Sequence, residues 1–197
     1  MNVVKVLIQG YAHPGPRNTY VASPSCTLII SSGKKILVDP GANQELLSSR
    51  LKKEGLMPKN IDYIFLSHYH PDHVLATRLF PKQDIVDSEI IWRNDSEIYH
   101  KGKLPGTDIE IIKTPGHSSE HASLIVKTAE YGIVCVAQDL FWWEDGKQKS
   151  DSTKDLINLK DPFASNMKTL KVSRENILKI ADWIIPGHGG MFKNPFK

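Results

Sequence analysis

The chain has 197 residues, of which 40% are hydrophobic and 24% charged, and its formal net charge is +3. This composition excludes an intrinsically disordered chain and suits a single domain over residues 1–197, long enough to bury a core without disulfides. No window approaches the ~18 apolar residues of a membrane span, so we expect a cytoplasmic protein without a membrane partner. The mild positive charge permits an anionic substrate but does not require one.

The first half of the chain predicts mainly strands, because short apolar runs alternate with turn residues. Predicted strands cover residues 3–9, 26–30, 35–38 and 61–66. Leucines recur at helical spacing over residues 46–56, which predicts a helix between the third and fourth of these strands. A second helix is expected over residues 73–80.

The second half repeats this order of elements. Predicted strands cover residues 109–113, 122–127, 131–137 and 183–185, and a helix is predicted over residues 173–181. Strands dominate each half while helices remain available to cover two stacked sheets, which favours an α/β protein built as an αββα four-layer sandwich. The segment 141–166 is either an insertion or an active-site loop.

Four polar side chains follow the predicted strand 61–66 within six residues: His68, His70, Asp72 and His73. Because side chains alternate in an extended segment, His68 and His70 point the same way and can share one metal ion. Pro71 then ends the extended run, so Asp72 and His73 enter a turn that can face a second ion. A structural role would not require so many polar groups at a strand end, and the segment therefore predicts metal ligands.

The remaining ligands are expected at the ends of other strands, where functional side chains are commonly presented. Three residues occupy such positions: His117 after residues 109–113, Asp139 after residues 131–137, and His188 after residues 183–185. A glycine precedes each of these two histidines and helps a tight turn to present the imidazole. The other histidines are assigned outside the ligand set: His13 to a loop, His100 to the surface, and His121 to contact with a ligand.

Residues 68–73 carry the H-x-H-x-D-H signature of the metallo-β-lactamase superfamily, which the chain resembles over most of its length. Further matches follow in the family's order: Asp39 in ILVDPG, His117 in TPGHSS, Asp139 in AQDLF and His188 in PGHGG. The resemblance implies the αββα sandwich with a dinuclear metal site at one edge. The segments HVLATRLFP and SRENILKIADWIIPGHGGMFK are most similar to a small subgroup of this superfamily for which ribonuclease activity is proposed.

Position by position, the resemblance implies two ligand sets. His68, His70 and His117 would hold the first ion, Asp72, His73 and His188 the second, and Asp139 would bridge them. Asp39 would support the ligands without binding metal itself. The two divalent ions are expected to be Zn²⁺, although Fe and Mn also suit imidazole and carboxylate ligands.

Two such ions would share a water and lower its pKa toward neutrality, which makes a bridging hydroxide available as the nucleophile. Asp72 is the predicted catalytic residue, orienting that water or relaying a proton. No side-chain nucleophile is needed, so Ser67 is assigned to a turn.

The expected activity is cleavage of a phosphodiester, in single-stranded RNA or a small molecule. Trp142 and Trp143 follow Asp139 closely enough to offer stacking faces, or they pack within a loop. The alternatives are a thioesterase or other acyl hydrolase of the glyoxalase II type and, less favoured, a protein that binds metal or nucleic acid without catalysis. The sequence leaves the physiological substrate and the oligomeric state open.

Overall fold

The computed structural model describes residues 1–197, which form fourteen β-strands and four α-helices. The strands are β1 (Val3–Ile8), β2 (Tyr11–Pro14), β3 (Tyr20–Ser23), β4 (Cys26–Ser31), β5 (Lys34–Val38), β6 (Tyr63–Phe65), β7 (Asp84–Val86), β8 (Ile90–Arg93), β9 (Ser96–Tyr99), β10 (Glu110–Lys113), β11 (Ala122–Thr128), β12 (Gly132–Trp142), β13 (Trp183–His188) and β14 (Phe192–Lys193). The helices are α1 (Gln44–Lys53), α2 (Pro71–Val74), α3 (Thr153–Asn158) and α4 (Met167–Ile180). None of these helices is long and apolar enough to cross a membrane.

The strands form two large sheets and one hairpin. The first sheet has the order β1-β4-β5-β6-β7-β8-β9, and the second has the order β10-β11-β12-β13-β14. Strands β5, β6 and β7 run parallel, as do β12 and β13, whereas the other neighbours in both sheets are antiparallel. The remaining pair, β2 and β3, forms a separate antiparallel hairpin.

The four layers arise because successive side chains of each strand point to opposite faces of its sheet. In β5, Ile36 and Val38 belong to the core between the two sheets, whereas Leu37 packs in a cluster with Leu47 and Leu51 of α1. The second sheet behaves in the same way, since its alternate residues pack either against the first sheet or against α3 and α4. Because successive side chains of a strand point to opposite faces, each sheet is buried on both sides. The expected α/β sandwich is confirmed.

Two predicted helices differ from those observed. Helix α4 begins at Met167 rather than residue 173, because the Asn166 side chain caps the helix by accepting a hydrogen bond from the backbone N–H of Thr169 at 3.0 Å. The helix expected over residues 73–80 is instead the single turn α2 followed by a 3₁₀ segment, Leu75–Leu79. In addition, the short strands β2, β3, β7, β8, β9 and β14 were not predicted.

Candidate metal centre

All seven predicted ligands converge at one edge of the sandwich. The segment 68–73 follows β6 of the first sheet, whereas His117 follows β10, Asp139 lies within β12 and His188 ends β13. All seven residues fall into two groups that could each hold an ion: His68, His70, His117 and Asp139 in the first, and Asp72, His73 and His188 in the second. The ligand atoms within each group lie within 4.8 Å of one another.

The spacing of the first group matches that of ligands around a single ion. The Nε2 atom of His117 is 3.0 Å from Nδ1 of His70 and 3.3 Å from Oδ2 of Asp139. The Nε2 atom of His68 lies 3.9 Å from the same carboxylate oxygen. With zinc–nitrogen bonds of about 2.0–2.1 Å, two nitrogens on a tetrahedral ion lie roughly 3.3 Å apart. The group is therefore of the right size for one ion.

The second group is similarly compact. The Oδ2 atom of Asp72 is 3.4 Å from Nε2 of His188 and 3.7 Å from Nε2 of His73. Asp139 also reaches this group, because its Oδ1 atom lies 3.3 Å from Nε2 of His73 and 3.6 Å from Nε2 of His188. The two oxygens of Asp139 thus face different groups, which is the arrangement of a bridging carboxylate.

Buried polar atoms without partners supply an independent test of this fit. His68 Nε2, His73 Nε2 and Asp139 Oδ1 are all buried and make no hydrogen bond within the protein. A buried polar atom without a partner costs about 1–3 kcal/mol, so several of them pointing toward one another indicate a missing partner. Imidazole nitrogens and carboxylate oxygens together suit divalent cations such as zinc.

A distortion of β12 places Asp139 in the site. The pairing of β12 with β13 shifts register between Val136 and Gln138, and Gln138 adopts a positive φ of 48°. Such a bulge redirects the side chains that follow it. The sequence placed Asp139 just past its strand, but β12 continues to Trp142, which pairs with His188 of β13. This prediction of the strand end was wrong because pairing resumes beyond the bulge.

Gly187 provides the space for this carboxylate. A Cβ atom at position 187 would overlap the Asp139 carboxylate and approach the Asp139 backbone nitrogen to 3.0 Å. The glycine before His188 is therefore required by a close approach rather than by its own backbone angles. Its neighbour His188 is held in turn through Nδ1, which lies 3.0 Å from the carbonyl oxygen of Tyr11.

Asp39 lies behind the ligands of the first sheet, as the resemblance implied. It is fully buried and adopts a positive φ of 43°. Its Oδ2 atom accepts hydrogen bonds from the Ser67 hydroxyl at 2.6 Å and from His73 Nδ1 at 2.7 Å. The same hydroxyl lies 2.9 Å from Nδ1 of His68. Ser67 therefore has more than the turn role assigned from the sequence, because it connects Asp39 to a predicted ligand.

Asp161, a residue that was not predicted from the sequence, contacts His117. The Nδ1 atom of His117 donates to Oδ2 of Asp161 at 2.7 Å, and the aspartate side chain is fully buried. Asp161 lies 44 residues from its partner, and no motif in the segment 141–166 marks it. A hydrogen bond from the second ring nitrogen of a ligating histidine commonly fixes its tautomer and orientation.

The other three histidines lie outside both groups. His121 is buried, its Nδ1 lies 2.9 Å from Oγ1 of Thr114, and its ring centroid is 5.2 Å from that of His68. His13 belongs to β2 and not to a loop, because it pairs with β3. His100 is half-buried, and its Nε2 lies 3.0 Å from the carbonyl oxygen of Asp87.

The electrostatics of the centre favour a cation among these ligands. Burial lowers the pKa of His68 well below its usual range, which keeps its ring neutral and its lone pair available. Burial also disfavours a charge on His73, yet the carboxylates of Asp139 and Asp39 raise its pKa well above the usual range. Despite its own burial, Asp139 has a pKa well below the usual range because His73 and His188 lie beside it. A protonated His73 thus balances the carboxylates, a role that a divalent ion would take over.

A cleft of about 480 Å³ opens over the two groups. Seven of its twelve lining residues are hydrophobic, and none is Lys or Arg. Trp142 lines the cleft, with its ring centroid 6.0 Å from that of His188 and 5.7 Å from that of Phe163. Trp143, the first residue after β12, does not line the cleft and is buried against Phe192. Of the two tryptophans, only Trp142 therefore lines the cleft.

Comparison with known proteins assigns the chain to a class. The model of the metallo-beta-lactamase superfamily matches residues 19–105. Metallo-beta-lactamase domain-containing protein 1 of Xenopus laevis is 35% identical over 201 residues, which cover 96% of this chain and 81% of that protein. The chain therefore belongs to the metallo-β-lactamase superfamily, and it is a metal-dependent hydrolase.

Solved structures show the same fold. A putative metallo-beta-lactamase of Thermotoga maritima superposes with a TM-score of 0.72 at 18% identity, covering 98% of this chain and 99% of that one. The dizinc quorum-quenching lactonase AidC, solved with a product, gives a TM-score of 0.68 at 19% identity over 89% of this chain and 77% of that one. These similarities support the fold assignment.

Proposed function

We propose that this chain is a two-metal hydrolase that cleaves a carboxylic ester, lactone or related acyl bond in a substrate with an apolar arm. The observation that carries this proposal is the lining of the cleft: every charged or imidazole side chain in it belongs to the predicted metal ligands. The walls offer no cation to pair with flanking phosphates. An apolar acyl group would instead bury its surface there, contributing about 0.8 kcal/mol per methylene.

The chemistry needs few further groups. When bound by these residues, divalent ions would activate a water as the nucleophile and polarise the scissile bond. Asp139 keeps the two ligand sets in register, because its oxygens face one set each. The Asp72 side chain is 27% exposed and lines the cleft, as the partly buried His70 also does. Its carboxylate is positioned to accept a proton from the attacking water and to return it to the leaving group.

We propose zinc as the resident metal. Five imidazoles and two carboxylates form the ligand sets, and both ligand types suit zinc, with iron and manganese as alternatives. The fold similarity to the dizinc lactonase AidC supports zinc and the acyl-bond class together. Elemental analysis of protein purified without chelators tests the metal directly, with two zinc ions per chain as the expected result.

A chain-length series tests the substrate class. We expect kcat/KM for p-nitrophenyl octanoate to exceed that for the acetate ester by at least about tenfold, because additional methylenes are buried against the walls. Both should exceed the value for bis(p-nitrophenyl) phosphate under matched metal and pH. Leu75→Lys is the matched wall variant, since Leu75 lines the cleft and is 51% exposed. This variant should lower octanoate turnover and spare acetate turnover.

Phosphodiester cleavage, for example in single-stranded RNA, is the second candidate. The Trp142–Phe163 ring pair favours it, because aromatic faces beside a metal site can stack on a base, contributing about 1–3 kcal/mol. The buried position of Trp143 removes part of the aromatic surface on which that prediction rested. If the phosphate diester or a short RNA is hydrolysed at least tenfold faster than both esters, the acyl-bond proposal is wrong and this second candidate replaces it.

A further inference from the structure

The segment between α3 and α4 contacts both the metal ligands and the substrate cleft. Asp161 lies in this segment, and its Oδ2 atom accepts a hydrogen bond from His117 Nδ1 at 2.7 Å. Its Oδ1 atom accepts a second hydrogen bond, from the backbone N–H of Phe163 at 3.0 Å. Phe163 in turn forms part of the cleft wall and is 62% exposed. One buried carboxylate therefore connects a predicted ligand with the surface that meets the substrate.

The backbone reinforces this connection. The N–H of Ser165 donates to the carbonyl of His117 at 2.9 Å, and the N–H of Asn166 donates to the carbonyl of Gly116 at 2.9 Å. Gly116 leaves no room for a side chain, because a Cβ atom there would overlap the backbone of Leu170. The turn that presents His117 is thus packed directly against the start of α4.

A buried guanidinium on α4 holds this segment against β12. Arg174 is fully buried, and its Nε donates to the carbonyl of Leu140 at 2.7 Å while Nη1 donates to the carbonyl of Leu159 at 2.5 Å. Leu140 directly follows Asp139 in the chain, and Leu159 precedes Asp161 by two residues. Arg174 consequently ties together the two segments that supply carboxylates to the centre.

The charge on Arg174 supports a positioning role. Burial lowers the pKa of this guanidinium to about 10, which leaves it protonated at neutral pH, and Asp161 is the nearby charge that favours the protonated form. Burying a charge is costly, and apolar residues of similar volume frequently serve a core at least as well. A charged residue at this position is explained if its hydrogen bonds to the carbonyls of Leu140 and Leu159 fix the main chain beside Asp139 and Asp161.

We propose that Asp161 is a positioning residue for the metal site containing His117, and that Arg174 holds the Asp161 segment in place against β12. This inference rests on the two-metal site proposed above. By accepting a hydrogen bond from the Nδ1–H of His117, Asp161 keeps the Nε2 lone pair of the ring directed at the metal position and makes the ring a stronger ligand. Arg174 acts through the main chain and not by contact with a ligand.

Metal affinity measured on purified apoprotein tests the role of Asp161. Zn²⁺ is titrated in competition with a chromophoric chelator, and Co²⁺ loading is followed by visible absorption. We expect Asp161→Asn to weaken one of the two ions by about 10–100-fold, to alter its Co²⁺ spectrum, and to leave the other ion unchanged. Phe163→Ala, a change in the same segment that spares the carboxylate, should preserve both affinities while altering KM.

Unchanged affinity for both ions in Asp161→Asn overturns the inference. Equal weakening of both ions, accompanied by a lower melting temperature of the apoprotein, also overturns it, because that result indicates a purely structural residue. Failure of the wild type to bind two ions would instead overturn the two-metal site itself, so the two failures can be told apart.

A double-mutant cycle tests Arg174. Arg174→Lys keeps the charge but loses the forked donation to two carbonyls, and we expect it to weaken the same ion that Asp161→Asn weakens. If both residues act through one carboxylate, the double variant should lose less affinity than the product of the two single effects. Multiplicative effects would refute a shared route. Should Arg174→Lys fail to fold, Arg174→Gln, which keeps an amide donor, completes the cycle.

Discussion

The cleft has a floor formed by the seven predicted ligands and walls formed by apolar side chains such as Leu75, Trp142 and Phe163. These two parts are built in opposite ways. On the floor, five of the seven predicted ligands are buried, and several are held by hydrogen bonds from behind, as His73 is by Asp39 and His117 by Asp161. The walls consist of apolar side chains that make few directed contacts, and Leu75 and Phe163 are more than half exposed.

This difference separates chemistry from specificity. The floor has discrete hydrogen bonds and close backbone approaches, so a small change there should disable the reaction. The walls act mainly through shape and apolar area, so a change there should alter which substrate is preferred.

Asp139→Ala should reduce kcat/KM by about a thousandfold or more. The bridging carboxylate faces both ligand sets, and the charge stabilisation supplied by metal ions amounts to several kcal/mol, with each 1.36 kcal/mol corresponding to tenfold in rate. Steady-state kinetics and metal content measure the loss, with exposed Asp151→Ala as the control. Retention of wild-type turnover would contradict the assignment of Asp139 as the bridging carboxylate.

The neighbouring tryptophans offer the sharpest internal comparison. Trp143→Ala should lower the free energy of unfolding by about 3–5 kcal/mol, because a buried aromatic side chain is lost. Trp142→Ala should preserve metal content and stability while raising KM about tenfold for substrates with large apolar groups. Chemical denaturation and steady-state kinetics measure the two effects. A reversed pattern would contradict the assignment of these side chains to core and wall.

Metal removal should lower stability appreciably. Buried Nε2 atoms of His68 and His73 lack partners within the protein, and an ion that binds only the folded state at 100 times its Kd stabilises it by about 2.7 kcal/mol. For a chain of this size the melting temperature should fall by about 5–10 °C after chelation and recover on zinc addition. Calorimetry with and without metal checks this, and identical melting curves would indicate that the floor does not bind metal.

The smallest expected effect is the pH dependence of metal affinity. Carboxylates raise the pKa of His73 despite its burial, so the metal-free centre carries a proton that metal must displace. Apparent affinity should therefore rise with pH, by up to about tenfold per unit, from about pH 6.5 to the raised pKa. Calorimetric titrations in two buffers of different ionisation enthalpy measure the proton released. Asp39→Asn should reduce that release, because one of the carboxylates that favour the charged ring is neutralised.

The sequence predicted which ligand residues and Asp39 come together, but it did not reveal Asp161 or the bulge that places Asp139. Residues 68–73 form a local pattern that follows a strand, so their convergence could be inferred from alternation and a turn. Asp161 reaches His117 only because α3 and α4 fold back over the second sheet, and no local pattern encodes that return. The bulge at Gln138 also depends on pairing with β13, which lies more than forty residues further along the chain.

Fold prediction shows the same limit. Strand β5 was predictable because Ile36, Leu37 and Val38 form a continuous buried apolar run, and such runs also indicated the layers. By contrast, β9 (Ser96–Tyr99) is exposed along its whole length and was missed, because its pairing with β8 leaves no burial signal. Strands stabilised mainly by backbone pairing are therefore the ones that sequence patterns conceal.

Because each ligand set takes residues from both sheets, a bound ion would act as a reversible cross-link between the two halves of the sandwich. In one set His70 comes from the first sheet and His117 from the second; in the other, His73 is joined to His188 in the same way. The ions would then hold the two sheets together at the edge that carries the ligands and leave the motion at the opposite edge unrestrained. Backbone amides near the ligands should exchange with solvent more slowly when metal is bound, while those of the β8–β9 hairpin should exchange at the same rate in both states.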